Sequence, residues 1–248
     1  MSPDGAWVVF DHLDSTGLPS LYRARLDGTE RQLLLVGGFG GDWSPDGSKL
    51  AANEGGSIVT IALPTGDVSD IAEGYGPTFS PDGATLAFSS AAPFSGPPDL
   101  WTVPAAGGTA TRVPLPGPPR DELREPDWAP DGARLVATRA AGTFALFLTR
   151  LDGTDTSVIM IPDRDLTHPA WSPLGNRLAY VRSGGTANEI WLVNPDGSAH
   201  KRIAADGSYP QWFQDGSRLV ITRLLGTQQS LWTVDTLGQN LTSLWGSP

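Results

Sequence analysis

Pro77-Thr78-Phe79-Ser80-Pro81-Asp82-Gly83-Ala84-Thr85-Leu86-Ala87-Phe88 is the stretch whose reading decides the fold. An aromatic residue stands directly before Ser-Pro-Asp-Gly, and a short apolar run follows the glycine. Asp-Gly reverses the chain, because glycine accepts the positive φ that a tight hairpin connection needs. The run Leu86-Ala87-Phe88 lacks polar alternation, so it suits a strand covered on both faces.

The same phrase paces the rest of the chain. Ser-Pro-Asp-Gly stands at 2–5, 44–47 and 80–83, with variants at 129–132 (Ala-Pro-Asp-Gly), 172–175 (Ser-Pro-Leu-Gly) and 213–216 (Phe-Gln-Asp-Gly). Start-to-start spacings of 42, 36, 49, 43 and 41 residues fall in the range of one four-stranded propeller blade. Before the turn come Trp43, Phe79, Trp128, Trp171 and Trp212, with Pro77, Pro126, Pro169 and Pro210 two residues earlier. After it come apolar runs such as Leu50-Ala51-Ala52, Leu135-Val136-Ala137, Leu178-Ala179-Tyr180 and Leu219-Val220-Ile221. A third strand is centred on Leu21-Tyr22, Ile58-Val59, Leu100-Trp101, Leu146-Phe147, Ile190-Trp191 and Leu231-Trp232. A second glycine turn follows, and then a more polar segment, as in 30–36 and 201–204, as an outer edge strand should be. The pattern predicts an all-β, six-bladed β-propeller of four-stranded antiparallel blades, with no helix. The chain reads as a single domain over 1–248, its blades at about 1–37, 38–74, 75–116, 124–162, 166–206 and 208–248.

These residues resemble a known family. Pro-x-Trp-Ser-Pro-Asp-Gly, then Leu-Ala-Phe, then Leu-Trp-x-Val, then Asp-Gly is similar to the repeat of the TolB-like six-bladed propellers, clearest at 76–113 and 166–203. The resemblance covers essentially the whole chain. It implies a propeller of the kind found in periplasmic partner-binding proteins, in propeller domains of serine peptidases and in some lyases. It also implies a periplasmic, cell-envelope or secreted location, although no signal peptide is legible after Met1.

The pattern breaks at its start. Met1 stands where the strand-ending aromatic should be, so the first blade is expected to lack its innermost strand. The last residues cannot supply it, because after the Gly238 turn the chain must first run back beside 231–235; 239–245 is expected to be the outer strand of the last blade. An open inner edge would invite pairing with upstream residues of a longer protein or with a second copy in a homodimer. Trp7, where other blades carry Lys49, Thr85, Arg134, Arg177 and Arg218, suggests a local apolar contact.

Composition narrows the partners. Net charge is −10, which argues against a nucleic-acid surface, and no apolar run reaches the length of a membrane span. There is no cysteine, and Arg outnumbers Lys by 15 to 2. Arg suits two-point capture of carboxylates and phosphates, though a GC-rich genome explains the bias equally well.

Two rows of equivalent residues are expected at the mouth of the central channel, where loops on a rigid scaffold commonly bind ligands. Three residues before the aromatic stand Gly40, Gly76, Glu125, His168 and Tyr209. Seven after the turn glycine stand His12, Glu54, Ser90, Arg139, Arg182 and Arg223. Three consecutive Arg, with His168 and Glu125 beside them, would grip an anion. They equally suit structural ion pairs with Asp121, Glu122, Asp163 or Asp165.

No Gly-x-Ser-x-Gly, His-Glu-x-x-His or cysteine pair occurs. The first functional reading is therefore a non-catalytic binding propeller that presents its channel mouth to a protein or peptide partner. The alternative is a hydrolase or lyase acting there on a small anionic ligand such as an acidic sugar or phosphoester. In that case Arg139, Arg182 and Arg223 hold the anion, and His168 with Glu125 moves protons or binds a divalent metal. No cofactor is expected.

Overall fold

A computed structural model describes residues 1–13, 17–91, 97–115, 121–225 and 228–245. The chain is all-β, with six antiparallel blades and no helix among the described residues. It falls into two compact units, one of Met1–Pro119 with Leu123–Pro126, the other of Arg120–Glu122 with Asp127–Pro248.

In the first unit, blade 1 has β1 (Trp7–Leu13), β2 (Pro19–Arg25) and β3 (Gln32–Val36). Blade 2 has β4 (Gly38–Trp43), β5 (Lys49–Glu54), β6 (Ser57–Ala62) and β7 (Val68–Glu73). Blade 3 has β8 (Tyr75–Phe79), β9 (Thr85–Ser90), β10 (Asp99–Pro104) and β11 (Thr111–Arg112). Blade 4, which lies in the second unit apart from Leu123–Pro126, has β12 (Glu122–Trp128), β13 (Arg134–Ala140), β14 (Phe144–Arg150) and β15 (Ser157–Ile159). In the second unit, blade 5 has β16 (Asp165–Trp171), β17 (Leu178–Ser183), β18 (Glu189–Val193) and β19 (Lys201–Ala204). Blade 6 has β20 (Ser208–Trp212), β21 (Arg218–Leu225), β22 (Gln228–Asp235) and β23 (Thr242–Ser243). Each sheet is a meander in chain order.

Two finer expectations from the sequence hold. Blade 1 has three strands, and β23 pairs with β22 as the outer strand of blade 6, through Trp232 with Ser243 and Thr233 with Thr242. Trp7 packs against the apolar cluster between blades 1 and 2, and its ring also carries the guanidinium groups of Arg23 and Arg25 at 4.7 and 4.6 Å.

The second strands are continuously apolar because consecutive residues serve different neighbours. Leu178 and Tyr180 join a cluster with Val136, Leu146 and Ile159 of blade 4, while Ala179 and Val181 join one with Trp212, Leu219 and Ile221 of blade 6. In the first unit, Leu50 and Ala52 pack toward Leu21 of blade 1, and Ala51 packs toward Phe79, Leu86 and Phe88 of blade 3. Burying each large side chain of this kind contributes about 1.5–3 kcal/mol relative to exposure, so the core lies between blades rather than within them.

The turns interlock as well. In the Ser-Pro-Asp-Gly turn the Asp carboxylate accepts the Ser hydroxyl two residues before and a backbone N–H two residues after, as Asp46 does from Ser44 (2.7 Å) and Ser48 (3.0 Å). These bonds, led by the Ser48 N–H, hold the Asp46 carboxyl down at about 2. The turn glycine of one blade lies under the turn of the blade before it. A methyl group on Gly83 would come within 3.3 Å of Pro45, and one on Gly175 within 3.2 Å of Pro130.

Candidate functional site

Five blades have a complete set of strands, and the first strand of each carries one equivalent residue of unusual backbone conformation. That residue adopts the left-handed conformation: Gly40 (φ 67°), Gly76 (φ 62°), Glu125 (φ 54°), His168 (φ 49°) and Tyr209 (φ 52°). Register with the second strand slips around it, between Phe39 and Asp42, Tyr75 and Thr78, Thr167 and Ala170, and Ser208 and Gln211. These are β-bulges, which bend a strand and re-aim a side chain. Glycine takes this conformation freely, whereas Glu, His and Tyr hold it at about 1–2 kcal/mol per residue. Strain kept at a repeated position marks a candidate site.

A polar side chain from the preceding blade holds several of these bulges. Asp11 Oδ1 accepts the Gly40 N–H at 3.0 Å, Asn53 Oδ1 accepts that of Gly76 at 3.0 Å, and Thr138 Oγ1 accepts that of His168 at 3.2 Å. Asn53 Nδ2 also donates to the Gly74 carbonyl at 2.9 Å. All three side chains stand six residues after their turn glycine, one before the row singled out in the sequence. The signal for them was a polar residue inside an apolar second strand: Asn53 is 1% exposed and Thr138 2% exposed, which requires a hydrogen-bond partner. Val181 occupies the equivalent place in blade 5.

The second unit brings His168 and Tyr209 together. Their rings meet edge to face with centroids 4.5 Å apart, and Tyr209 remains 55% exposed. The His168 ring also lies 3.1 Å from the Thr167 hydroxyl through Nδ1. Glu125 belongs to the first unit, as does His12, an exposed residue set edge-on to Tyr22 at 5.9 Å.

The arginine row separates into different fates. Arg139 is given to Asp121, with Nε 2.7 Å and Nη2 2.5 Å from Oδ2, so the ion-pair alternative describes it. Arg182 and Arg223 lie over the third-strand indoles of their own blades, with Cζ 4.6 Å from the ring centre of Trp191 and of Trp232. Their Nε atoms are buried without a hydrogen-bond partner. Arg223 Nη2 reaches Asp206 at 3.4 Å; among the described residues Arg182 has no carboxylate at ion-pair distance. In blades 5 and 6 the equivalent position thus sets a shared packing, a cation over an aromatic ring.

Around Arg182 the charges are uneven. Glu189 accepts Arg202 Nη1 at 2.8 Å on one oxygen and the Trp191 indole N–H at 2.9 Å on the other, and these bonds, that of Arg202 first, hold its carboxyl below the usual range. Tyr180 meets His200 Nδ1 at 2.8 Å; burial pushes the Tyr180 phenol up and the His200 imidazole down. Among the described residues no group of three His, Asp or Glu side chains is placed to hold a metal ion.

Comparison with known proteins agrees with this architecture. Residues 38–205 match the family described as the TolB beta propeller domain. No characterised protein matched the sequence directly. Among solved structures, a putative TolB from Agrobacterium tumefaciens aligns with a TM-score of 0.76 at 19% identity, over 96% of this chain and 87% of that one. TolB from Acinetobacter baumannii aligns with a TM-score of 0.81 at 19% identity, over 96% of this chain but 63% of that one. Oligogalacturonate lyase from Vibrio parahaemolyticus aligns with a TM-score of 0.68 at 19% identity, over 98% and 75%. At such identities the likeness is one of fold, and fold does not carry activity with it. With the family match spanning more than half of the sequence, the chain belongs to the TolB beta propeller domain family.

Proposed function

We propose that this propeller is a non-catalytic binding module that engages a protein or peptide partner through the bulged residues of its first strands. The observation that carries the reading is the His168–Tyr209 pair. Two side chains are held in a strained backbone conformation at equivalent positions, and one of them leaves an aromatic ring more than half exposed. A rigid aromatic presented in this way is a typical anchor at protein interfaces, because it adds contact area at little entropic cost.

The alternative, a hydrolase or lyase working on an anionic substrate, asks Arg139, Arg182 and Arg223 to hold the anion together. Arg139 is already engaged by Asp121, and Arg223 leans on Trp232 with Asp206 close by. That engagement favours the binding reading.

A photoreactive amino acid placed at position 209 in the source organism tests it. A discrete crosslinked protein is expected, and Tyr209→Ala or His168→Ala should weaken that complex roughly tenfold or more, as loss of an interface anchor does. Absence of a crosslinked partner, or wild-type affinity in both variants, would overturn the reading.

A further inference from the structure

Blade 5 carries a second recess, separate from the His168–Tyr209 pair. It encloses about 600 Å³ and is lined by Arg164, Arg182, Arg202, Glu189 and Trp191, with the loop around Thr186 along its rim. Three guanidinium groups therefore face one carboxylate, on a molecule whose net charge is −10.

How these groups are held decides what the recess can take. Both oxygens of Glu189 are committed, one to Arg202 and the other to Trp191. Arg164 spends only Nη1 on protein, donating to the carbonyls of Asp163 (2.9 Å) and Gly184 (3.0 Å), which fixes its head while its other N–H groups are unspent. Arg182 has its Cζ 4.6 Å from the Trp191 ring centre and its Nε buried, so its two terminal Nη groups are what it can offer a ligand. Among the described residues these two cations thus have no carboxylate at ion-pair distance, although the Arg182 charge is felt by Glu189.

We infer that this recess binds a small organic dianion, a short dicarboxylate or a phosphate monoester, with Arg164 and Arg182 each taking anionic oxygens in two-point fashion. Planar guanidinium forks match carboxylate and phosphate oxygens, and the bonds are charge-assisted. The volume lies within the range of small-ligand sites. Arg202 forms the third wall, its charge partly spent on Glu189. The site is independent of the partner-binding reading, since neither His168 nor Tyr209 lines it.

Isothermal titration calorimetry of the full chain at constant ionic strength tests the assignment, with malonate in one arm, glycerol 1-phosphate in another and neutral glycerol as control. Saturable binding in the millimolar range or tighter is expected in one anionic arm or both, and which arm responds identifies the ligand chemistry. Arg182→Gln and Arg164→Gln should each weaken it roughly tenfold or more, the loss expected for a charge-assisted contact. Glu189→Gln should tighten it, because Arg202 is then released from its internal competitor; a merely structural role for Glu189 would not produce that sign. Arg164→Gln guards against misfolding in the other variant, since its bonds are to loop carbonyls only, and thermal unfolding of each variant verifies the fold. No binding in either anionic arm, or wild-type affinity in both arginine variants, would overturn the inference.

Discussion

Blades 5 and 6 are built from the same repeat in the same unit, yet they solve three equivalent positions differently. In blade 5 the indole N–H of Trp191 is taken by Glu189, two residues earlier, and Glu189 also binds Arg202; in blade 6 Trp232 is taken by Ser230, at 2.8 Å, with no carboxylate involved. His168 of blade 5 has its N–H accepted by Thr138, whereas the place corresponding to Thr138 for Tyr209 is filled by Val181. The blade 6 turn keeps its Asp215, while blade 5 has Leu174 there, 63% exposed. The repeat fixes where a side chain stands; the residue two places away, or the one facing it from the preceding blade, fixes what it can do.

The largest expected effect lies at the indoles. Trp191→Ala should destabilise the fold by about 3 kcal/mol, since it removes a ring packed on the blade 4–5 cluster. Trp232→Ala should cost about 1 kcal/mol less, the difference between an indole bond to the charged Glu189 and one to the neutral Ser230 hydroxyl. Urea unfolding of the two variants measures that difference, and equal costs would mean that the carboxylate adds nothing to blade 5.

Next comes the bulge. Thr138→Val gives blade 5 the residue that blade 6 lives with and removes an acceptor at a buried site; a loss of about 1–2 kcal/mol is expected by the same measurement. No loss would show that the His168 backbone is held by other contacts.

The smallest effect is at the turn, and it depends on pH. Leu174→Asp should stabilise the protein by about 0.5–1 kcal/mol at pH 7 by adding a turn acceptor, a gain trimmed by the loss of Leu174 from above Gly216. Asp215 shows what such a carboxylate becomes: the Ser217 N–H, then its hydroxyl, hold it below its ordinary value. A depressed folded-state value stabilises above the ordinary Asp range and loses that contribution as pH falls through the folded value. The gain from Leu174→Asp should therefore fade as pH falls below about 4, the ordinary Asp value, and be lost through the depressed folded-state value. Thermal melts across pH 2–7 follow it, and a gain that persists at low pH would rule out the turn bond as its source.

Most of the architecture was legible because it is local. Asp-Gly turns, paired apolar runs and their spacing recur within about forty residues, so blade count, strand order and the three-stranded first blade all follow from the text of the chain. The site was legible only by address. Gly40 and Gly76 at the same place as Glu125, His168 and Tyr209 were a sign of left-handed backbone, but glycine also reads as a missing side chain. The fate of Arg139 was hidden for another reason. Arg182 and Arg223 each stand nine residues before their indole, so that contact does recur with the repeat, but Arg139 has Leu148 at that distance and pairs with Asp121, eighteen residues earlier, which no periodicity announces.

The overlap of one turn upon the next has a consequence for how such chains grow. Inside each unit, a proline or leucine from one blade shingles the bare glycine of its successor, at Gly47, Gly83, Gly175 and Gly216, so a middle repeat such as blade 2 or blade 5 carries both the tile and the surface that receives it. A copied repeat spliced between two others would find its joints already cut, whereas an alanine at Gly175 would strain its own turn, held at φ 73°, and press on Pro130 of the blade before as well.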